Sequence, residues 1–168
     1  MMADHHHRDR AQVGCAVVTV SDSRTAADDR SGPVIREALA AAGHPVHAVE
    51  IVPDERERIQ AVVRALAARP DLGAIMVTGG TGIAERDVTI ESLAELWTKE
   101  LPGFGELFRA LSFEEVGSAS MLSRATAGVV DGTFVAVLPG SPKACRLALE
   151  RLIAPELAHI AGLLGHRS

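Results

Sequence analysis

Residues Ile75–Gly82 read IMVTGGTG. An apolar, partly β-branched run that stops at Thr-Gly-Gly-Thr-Gly has the pattern of a buried strand passing into a glycine loop. Gly79, Gly80 and Gly82 can expose backbone N–H groups with no Cβ in the way. A turn of this kind makes a nest for phosphate oxygens, and Thr78 and Thr81 add hydroxyl donors. The alternative is a tight turn of no chemical use; the position after a core strand favours the phosphate. Two known phosphate loops are excluded. A Walker A loop needs Gly-Lys-Ser/Thr, but Ile83 follows Gly82. The dinucleotide fingerprint fails at Glu85, where it requires glycine or alanine.

Upstream, Gly14–Val20 reads GCAVVTV, a buried strand, and SDSRTAADDRSG is a polar loop long enough to cover a site. Ser31 suits an N-cap with Pro33 in the first helical turn, and Val34, Ile35, Ala38, Leu39 and Ala42 form the apolar stripe. Val46–Val52 is a second strand, and Ile59, Val62, Val63 and Leu66 give the next segment a helical period. Leu72–Val77 is the third strand. Strands separated by helical spacers indicate crossovers and a mostly parallel sheet, hence an α/β fold.

Downstream, Thr89–Leu96 is helical, Leu101-Pro102-Gly103 breaks it, and Phe104–Phe113 is a short helix with Phe104, Leu107, Phe108 and Leu111 on one side. Phe104, Phe108 and Phe113 fit core or contact surface equally well. Gly117–Arg124 is irregular. Asp131-Gly132 between two apolar runs, Ala127–Val130 and Thr133–Leu138, signals a hairpin, so an antiparallel edge joins the sheet. A last helix spans about Pro142 to Leu164, with a kink expected at Pro155.

Four loops follow predicted strand ends: Ser21–Gly32, Pro53–Glu55, Thr78–Thr89 and Pro139–Pro142. Ligands bind at that edge in open α/β sheets. Asp54 and Asp87 are two carboxylates at neighbouring strand ends, able to hold Mg²⁺ beside phosphates or to cap the helices that follow. Asp22, Asp28 and Asp29 order the first loop or are solvated. Ser21, Ser23 and Ser141 can donate to an oxyanion. Arg124, after Ser123, offers a fork of donors for an anion or is a surface arginine, with Arg86 and Lys143 weaker candidates of the same type. His44 and His47 suit surface or edge roles.

The 168 residues suit one domain, assigned to 12–168, behind a leader, 1–11, whose polar composition predicts disorder and whose His5, His6 and His7 alternatively offer an opportunistic metal site. A net charge of -5 without any Lys/Arg block argues against a nucleic-acid footprint. No apolar run reaches membrane-spanning length, and the start does not resemble a signal peptide. Cys15 and Cys145 sit in apolar patterns and read as buried free thiols. Cytoplasm is the default compartment.

The segments together resemble the MoaB/MogA family of molybdenum cofactor biosynthesis proteins. The residues that carry the resemblance are TVSDSR (Thr19–Arg24), DDRSG (Asp28–Gly32), VPDE (Val52–Glu55), TGGTGIAERDVT (Thr78–Thr89), PGFGELFR (Pro102–Arg109), SFEEVG (Ser112–Gly117), MLSRATAG (Met121–Gly128) and LPGSPKAC (Leu138–Cys145). The resemblance covers about residues 12 to 160. It implies a three-layer α/β/α, molybdopterin-binding fold. It further implies a molybdopterin adenylyltransferase that moves AMP from Mg-ATP to the terminal phosphate of molybdopterin and releases pyrophosphate. Asp54 and Asp87 would then serve catalysis and Mg²⁺. Ser21, Asp22, Thr78, Gly79, Gly80, Thr81, Gly82, Ser123, Arg124, Pro139, Gly140 and Ser141 would line the pterin or nucleotide. SFEEVG and PGSPKAC lean toward the MoaB branch, some members of which have altered acids, whereas the PDE and RDVT segments here are intact. The competing implication is a non-catalytic pterin-binding or scaffold protein. The resemblance also implies a homotrimer or hexamer, and the molybdate-inserting enzyme of the pathway as a partner.

Overall fold

The computed structural model describes residues 11–166. His5, His6 and His7 lie outside the described residues. The sheet is formed by β1 (Cys15–Val20), β2 (Val46–Val52), β3 (Ala74–Thr78), β4 (Lys99–Glu100), β5 (Thr126–Val130) and β6 (Thr133–Leu138). Its order is β2-β1-β3-β6-β5-β4. The first four strands in that order run parallel; β5 and β4 run antiparallel to their neighbours.

The helices are α1 (Ser31–Ala41), α2 (Arg56–Ala67), α3 (Thr89–Ala94), α4 (Pro102–Val116), α5 (Pro142–Ala148) and α6 (Ala154–Leu163). They cover both faces of the sheet and give three layers. Alternate residues of a strand face opposite sides. Cys15 and Val17, Ala74 and Met76, and Ala136 and Leu138 pack beneath α1, α4, α5 and α6 with Ile35, Leu39, Phe108 and Leu157. Ala16, Val18 and Val20, Ile75 and Val77, and Val135 and Val137 pack beneath α2 and α3 with Ile59, Val63 and Leu93. Burial on both faces is why the central strands read as unbroken apolar runs. Among the described residues no helix is long and apolar enough to cross a membrane.

The Asp131-Gly132 turn forms as expected. Asp131 has φ 47° and Gly132 φ 79°, the paired left-handed conformation that matches strand twist in a two-residue hairpin. Cys15 and Cys145 are buried free thiols; burial pushes the first up to about 12 and the second up to about 11.

Several local expectations are corrected. The helix after the glycine loop does end before Leu101, but Pro102 and Gly103 already belong to α4, because a missing N–H costs nothing in a first helical turn. The helix is therefore longer than expected. Its face is also narrower: Phe108 is buried and stacks on Phe104 at 6.2 Å, while Leu107 and Phe113 are exposed. Ser31 lies within the first turn of α1, behind Arg30, and donates to Gly140 O at 2.5 Å instead of capping. The irregular stretch before Arg124 contains a 3₁₀ helix, Gly117–Leu122. The chain meets Pro155 by widening into a π-helical turn over Leu149–Ile153, which accommodates the lost N–H donor. His44 is buried rather than at the surface, and its Nδ1 accepts from Val13 N–H at 3.1 Å.

Candidate functional site

The carboxyl ends of β1, β2, β3 and β6 lie side by side, because these strands are parallel and in register from Thr19 through Thr78 to Leu138. The loops that follow them therefore converge. The start of antiparallel β5 joins the same edge, with Thr126 opposite Val137. That places Ser123 and Arg124 beside the glycine loop.

The glycine loop is held by its carbonyls. Gly79 O accepts from Thr89 Oγ1 at 2.9 Å and Gly80 O from Thr89 N–H at 3.0 Å. Thr81 O accepts from Arg124 Nε at 3.0 Å and Gly82 O from Arg124 Nη2 at 2.5 Å. Four consecutive carbonyls are thus taken by protein donors. Among the described residues, none accepts from the N–H groups of Gly80, Thr81, Gly82 or Ile83. Because C=O and the following N–H point oppositely across a planar peptide, anchoring the carbonyls also fixes where these N–H groups aim. Such an array of oriented donors suits a phosphate or similar anion.

Three carboxylates border the loop. A Cβ on Gly80 would lie 2.8 Å from Asp54 Oδ1, and one on Gly82 would lie 2.6 Å from Asp87 Oδ2. Asp87 Oδ2 also accepts from Ala84 N–H at 3.2 Å. Asp22 Oδ1 accepts from Asp54 N–H at 3.0 Å, and Asp22 Oδ2 pairs with the Arg86 guanidinium. The Arg86 hydrogen bond, then that from Asp54 N–H, holds the Asp22 carboxyl below its ordinary range. Asp54 moves the other way. Partial burial raises its pKa most, followed by the negative charge of Asp22, with Asp87 adding to it. Asp54 is thus a carboxylate whose charge its surroundings compensate poorly.

The remaining predicted residues occupy the first-loop and last-turn side. Ser21 Oγ accepts from Ser23 N–H at 3.3 Å and Arg24 N–H at 3.1 Å, so the hydroxyl shapes its own loop. Thr78 Oγ1 donates to Pro139 O at 2.7 Å, which ties the Pro139-Gly140-Ser141 turn to β3. Ser141 is the N-cap of α5 and accepts from Ala144 N–H at 3.4 Å. Ser123 Oγ faces Ala125 N–H at 3.4 Å. Asp29 accepts from Thr19 Oγ1 at 2.9 Å and Gly32 N–H at 3.1 Å, ordering the loop. A cavity of about 70 Å³ opens between Ser21, Asp29, Thr78, Gly79 and Gly140.

Thr89 and Glu91 have parts here that sequence reasoning did not assign. Thr89 clamps two carbonyls, and Glu91 pairs with Arg124. The polar start of a helix directly after the glycine loop was the one local signal for either. Among the described residues no group of three or more His, Cys, Asp or Glu side chains is arranged to hold a metal. A larger concavity, about 460 Å³, lies at the amino end of the sheet beside His47, Asp71 and His166, away from the oriented amides.

The comparisons with known proteins identify the family. The family described as "Probable molybdopterin binding domain" matches residues 16–159. The chain is 49% identical over 162 residues, 95% of each chain, to "Molybdenum cofactor biosynthesis protein B" of Bacillus subtilis. It is 44% identical over 165 residues, 94% of this chain and 98% of the relative, to a "Probable molybdopterin adenylyltransferase" of Methanocaldococcus jannaschii. A crystal structure of a molybdenum cofactor biosynthesis protein B superposes with a TM-score of 0.91 at 46% identity, covering 95% of this chain and 100% of that one. The chain belongs to the MoaB/MogA family of molybdenum cofactor biosynthesis proteins.

Proposed function

We propose that this protein binds molybdopterin in molybdenum cofactor biosynthesis, with a phosphate oxygen of the pterin seated on the amides of Gly80–Ile83. The observation that carries the reading is the run of four anchored carbonyls, which leaves the adjoining N–H groups oriented and without protein acceptors. The names of the relatives, nearly all cofactor biosynthesis protein B, favour this binding reading over the adenylyltransferase that the sequence resemblance put first.

Adenylyl transfer is the second reading, and one specific observation favours it. Asp54 and Asp87 border the same loop, and the raised pKa of Asp54 reflects partial burial first and then the negative charge of Asp22 and Asp87, which a cation would relieve. Two carboxylates, phosphate oxygens and water are a donor set that suits Mg²⁺, which keeps several waters and seldom needs an all-protein cage. Asp54 and Asp87 would hold the ion, and Mg²⁺ would supply charge neutralisation at the nucleotide phosphates. In the reaction a pterin phosphate oxygen bonds to the α-phosphorus of ATP while the bond to pyrophosphate breaks; the chain's own groups bind and align. The archaeal relative named an adenylyltransferase accords with this reading.

Equilibrium binding of purified molybdopterin, followed by addition of Mg²⁺ and α-labelled ATP, tests both. Binding without labelled pterin supports the carrier reading. Labelled pterin with stoichiometric pyrophosphate supports transfer. Absence of binding overturns both.

A further inference from the structure

Arg124 has the chemistry of an anion ligand but is used otherwise. Its guanidinium reaches back across the sheet edge from the start of β5 and gives Nε to Thr81 O and Nη2 to Gly82 O. Nη1 pairs with Glu91 in α3, and the Arg124 hydrogen bond holds the Glu91 carboxyl below its ordinary range. The arginine side chain is 29% exposed and the glutamate 43%. The fork is therefore spent on two peptide oxygens, and its charge is matched by a carboxylate.

The geometry points to Arg124, held by Glu91, as the positioning residue that aims the amides of Gly82 and Ile83 at the phosphate of the bound ligand. The role follows from three physical facts. A planar guanidinium presents parallel donors at fixed spacing, so it can hold two successive carbonyls in one relative orientation, which a lysine ammonium cannot. A planar peptide transmits that orientation to the N–H on its other side. A guanidinium neutralised by a carboxylate adds little net positive potential at the ligand, so its contribution is alignment more than attraction. Thr89 does the same for the preceding two peptides through its hydroxyl and its own N–H. The loop is thus clamped from α3 on one side and from the strand β5 side on the other. Glu91, two residues after Thr89, ties the two clamps together.

This rests on the phosphate-binding reading above, and the sign of one substitution separates alignment from attraction. Glu91→Gln removes the carboxylate's charge and leaves the arginine in place. If Arg124 were an anion ligand, freeing it would tighten molybdopterin binding. As a positioning residue it loses its anchor, and binding should weaken about three- to tenfold. Arg124→Lys keeps the charge and loses the fork; it should weaken binding about tenfold or more. In Arg124→Ala, guanidinium added at a sub-denaturing concentration should restore part of the affinity, a rescue that a merely destabilised fold would not show. Arg146→Ala, whose exposed side chain pairs with Glu37 and Glu150 away from the loop, should bind as the parent does.

The second readout needs no ligand. Backbone amide resonances of Gly80, Thr81, Gly82 and Ile83 in the free protein should shift or broaden in Glu91→Gln and Arg124→Lys, with the Gly82 and Ile83 signals affected most. Tighter binding by Glu91→Gln, or unchanged loop amides in both variants, would overturn the positioning role. If the parent protein fails to bind molybdopterin at all, the proposed function falls, and the amide signals still decide whether Arg124 orders the loop.

Discussion

At the carboxyl end of β3, Gly80 has φ 65° and a Cβ there would crowd Thr89 Oγ1 and Asp54 Oδ1. At the amino end of β6, Gly132 has φ 79°, and a Cβ there would meet nothing within 4 Å. Both glycines supply a left-handed turn beside a strand. Only the first also keeps a surface clear. The amino-end turn reverses the chain, and its requirement is conformational. The carboxyl-end loop carries anchored carbonyls and bordering acids, so its glycines answer to contacts as well as to dihedrals. The two ends also differ in electrostatics. Charge is crowded at Asp54, whereas at the amino end a buried imidazole, His44, is kept neutral.

The largest effect is expected at the crowded glycine. Gly80→Ala combines a left-handed L-residue with displacement of Thr89 or Asp54. It should cost about 3 kcal/mol in stability and about 100-fold or more in molybdopterin affinity. Thermal melts and equilibrium binding would check it; parent-like affinity would show that the loop does not need to be clear. Asp54→Asn should separate stability from function. The raised pKa means that protonated Asp54 favours the fold below its unfolded value, and this contribution is lost as pH rises through the folded pKa. At neutral pH the charged group is therefore the less stable choice, and the asparagine variant should melt slightly higher while any Mg²⁺-dependent turnover disappears. A lower melting temperature at neutral pH would contradict the charge crowding.

What could be read beforehand follows the same division. The Asp131-Gly132 hairpin was legible because its cause is local: two residues that accept left-handed backbone between two apolar runs. The central strands and crossover helices were legible from apolar runs and helical periods. β4 was not, because Lys99-Glu100 are exposed polar residues and their pairing with Val129 and Gly128 comes from a distant part of the chain. His44 was misplaced for a related reason, since its buried partner, Val13, is 31 residues away. At the site, glycines and acids could be picked out by type, and the fold brings Asp54 and Asp87 beside Gly80 and Gly82. The use of Arg124 was hidden, because its carbonyl partners lie 43 and 42 residues upstream. Sequence spacing names a donor; the fold decides what receives it.

Gly132→Ala sharpens the comparison from the other end. With open space around the Cβ, the cost is the left-handed conformation alone, about 1 kcal/mol, measurable by denaturant unfolding. Molybdopterin affinity should match the parent. A drop in affinity would mean that the hairpin turn and the glycine loop are mechanically linked through β6, which the contrast between them denies.

The smallest effect is a pH slope at the amino end. Burial lowers the His44 pKa from its ordinary 6.5, and Nδ1 must stay unprotonated to accept from Val13 N–H. Below 6.5 the unfolded chain takes up a proton that the folded state resists. The unfolded state then binds more protons, so stability rises with pH in that window. His44 therefore supports the fold fully above 6.5, and that support fades as pH falls toward its lower folded pKa. His44→Gln offers Oε1 in place of Nδ1 and has no proton to gain. Its melting temperature should follow the parent's near pH 8 and fall less steeply between pH 6.5 and 5, while Asp54→Asn keeps the parent's slope there from His44. If parent and His44→Gln lose stability in parallel over that range, the acid sensitivity of the fold lies elsewhere, and the amino end is not the part of this sheet that acid opens first.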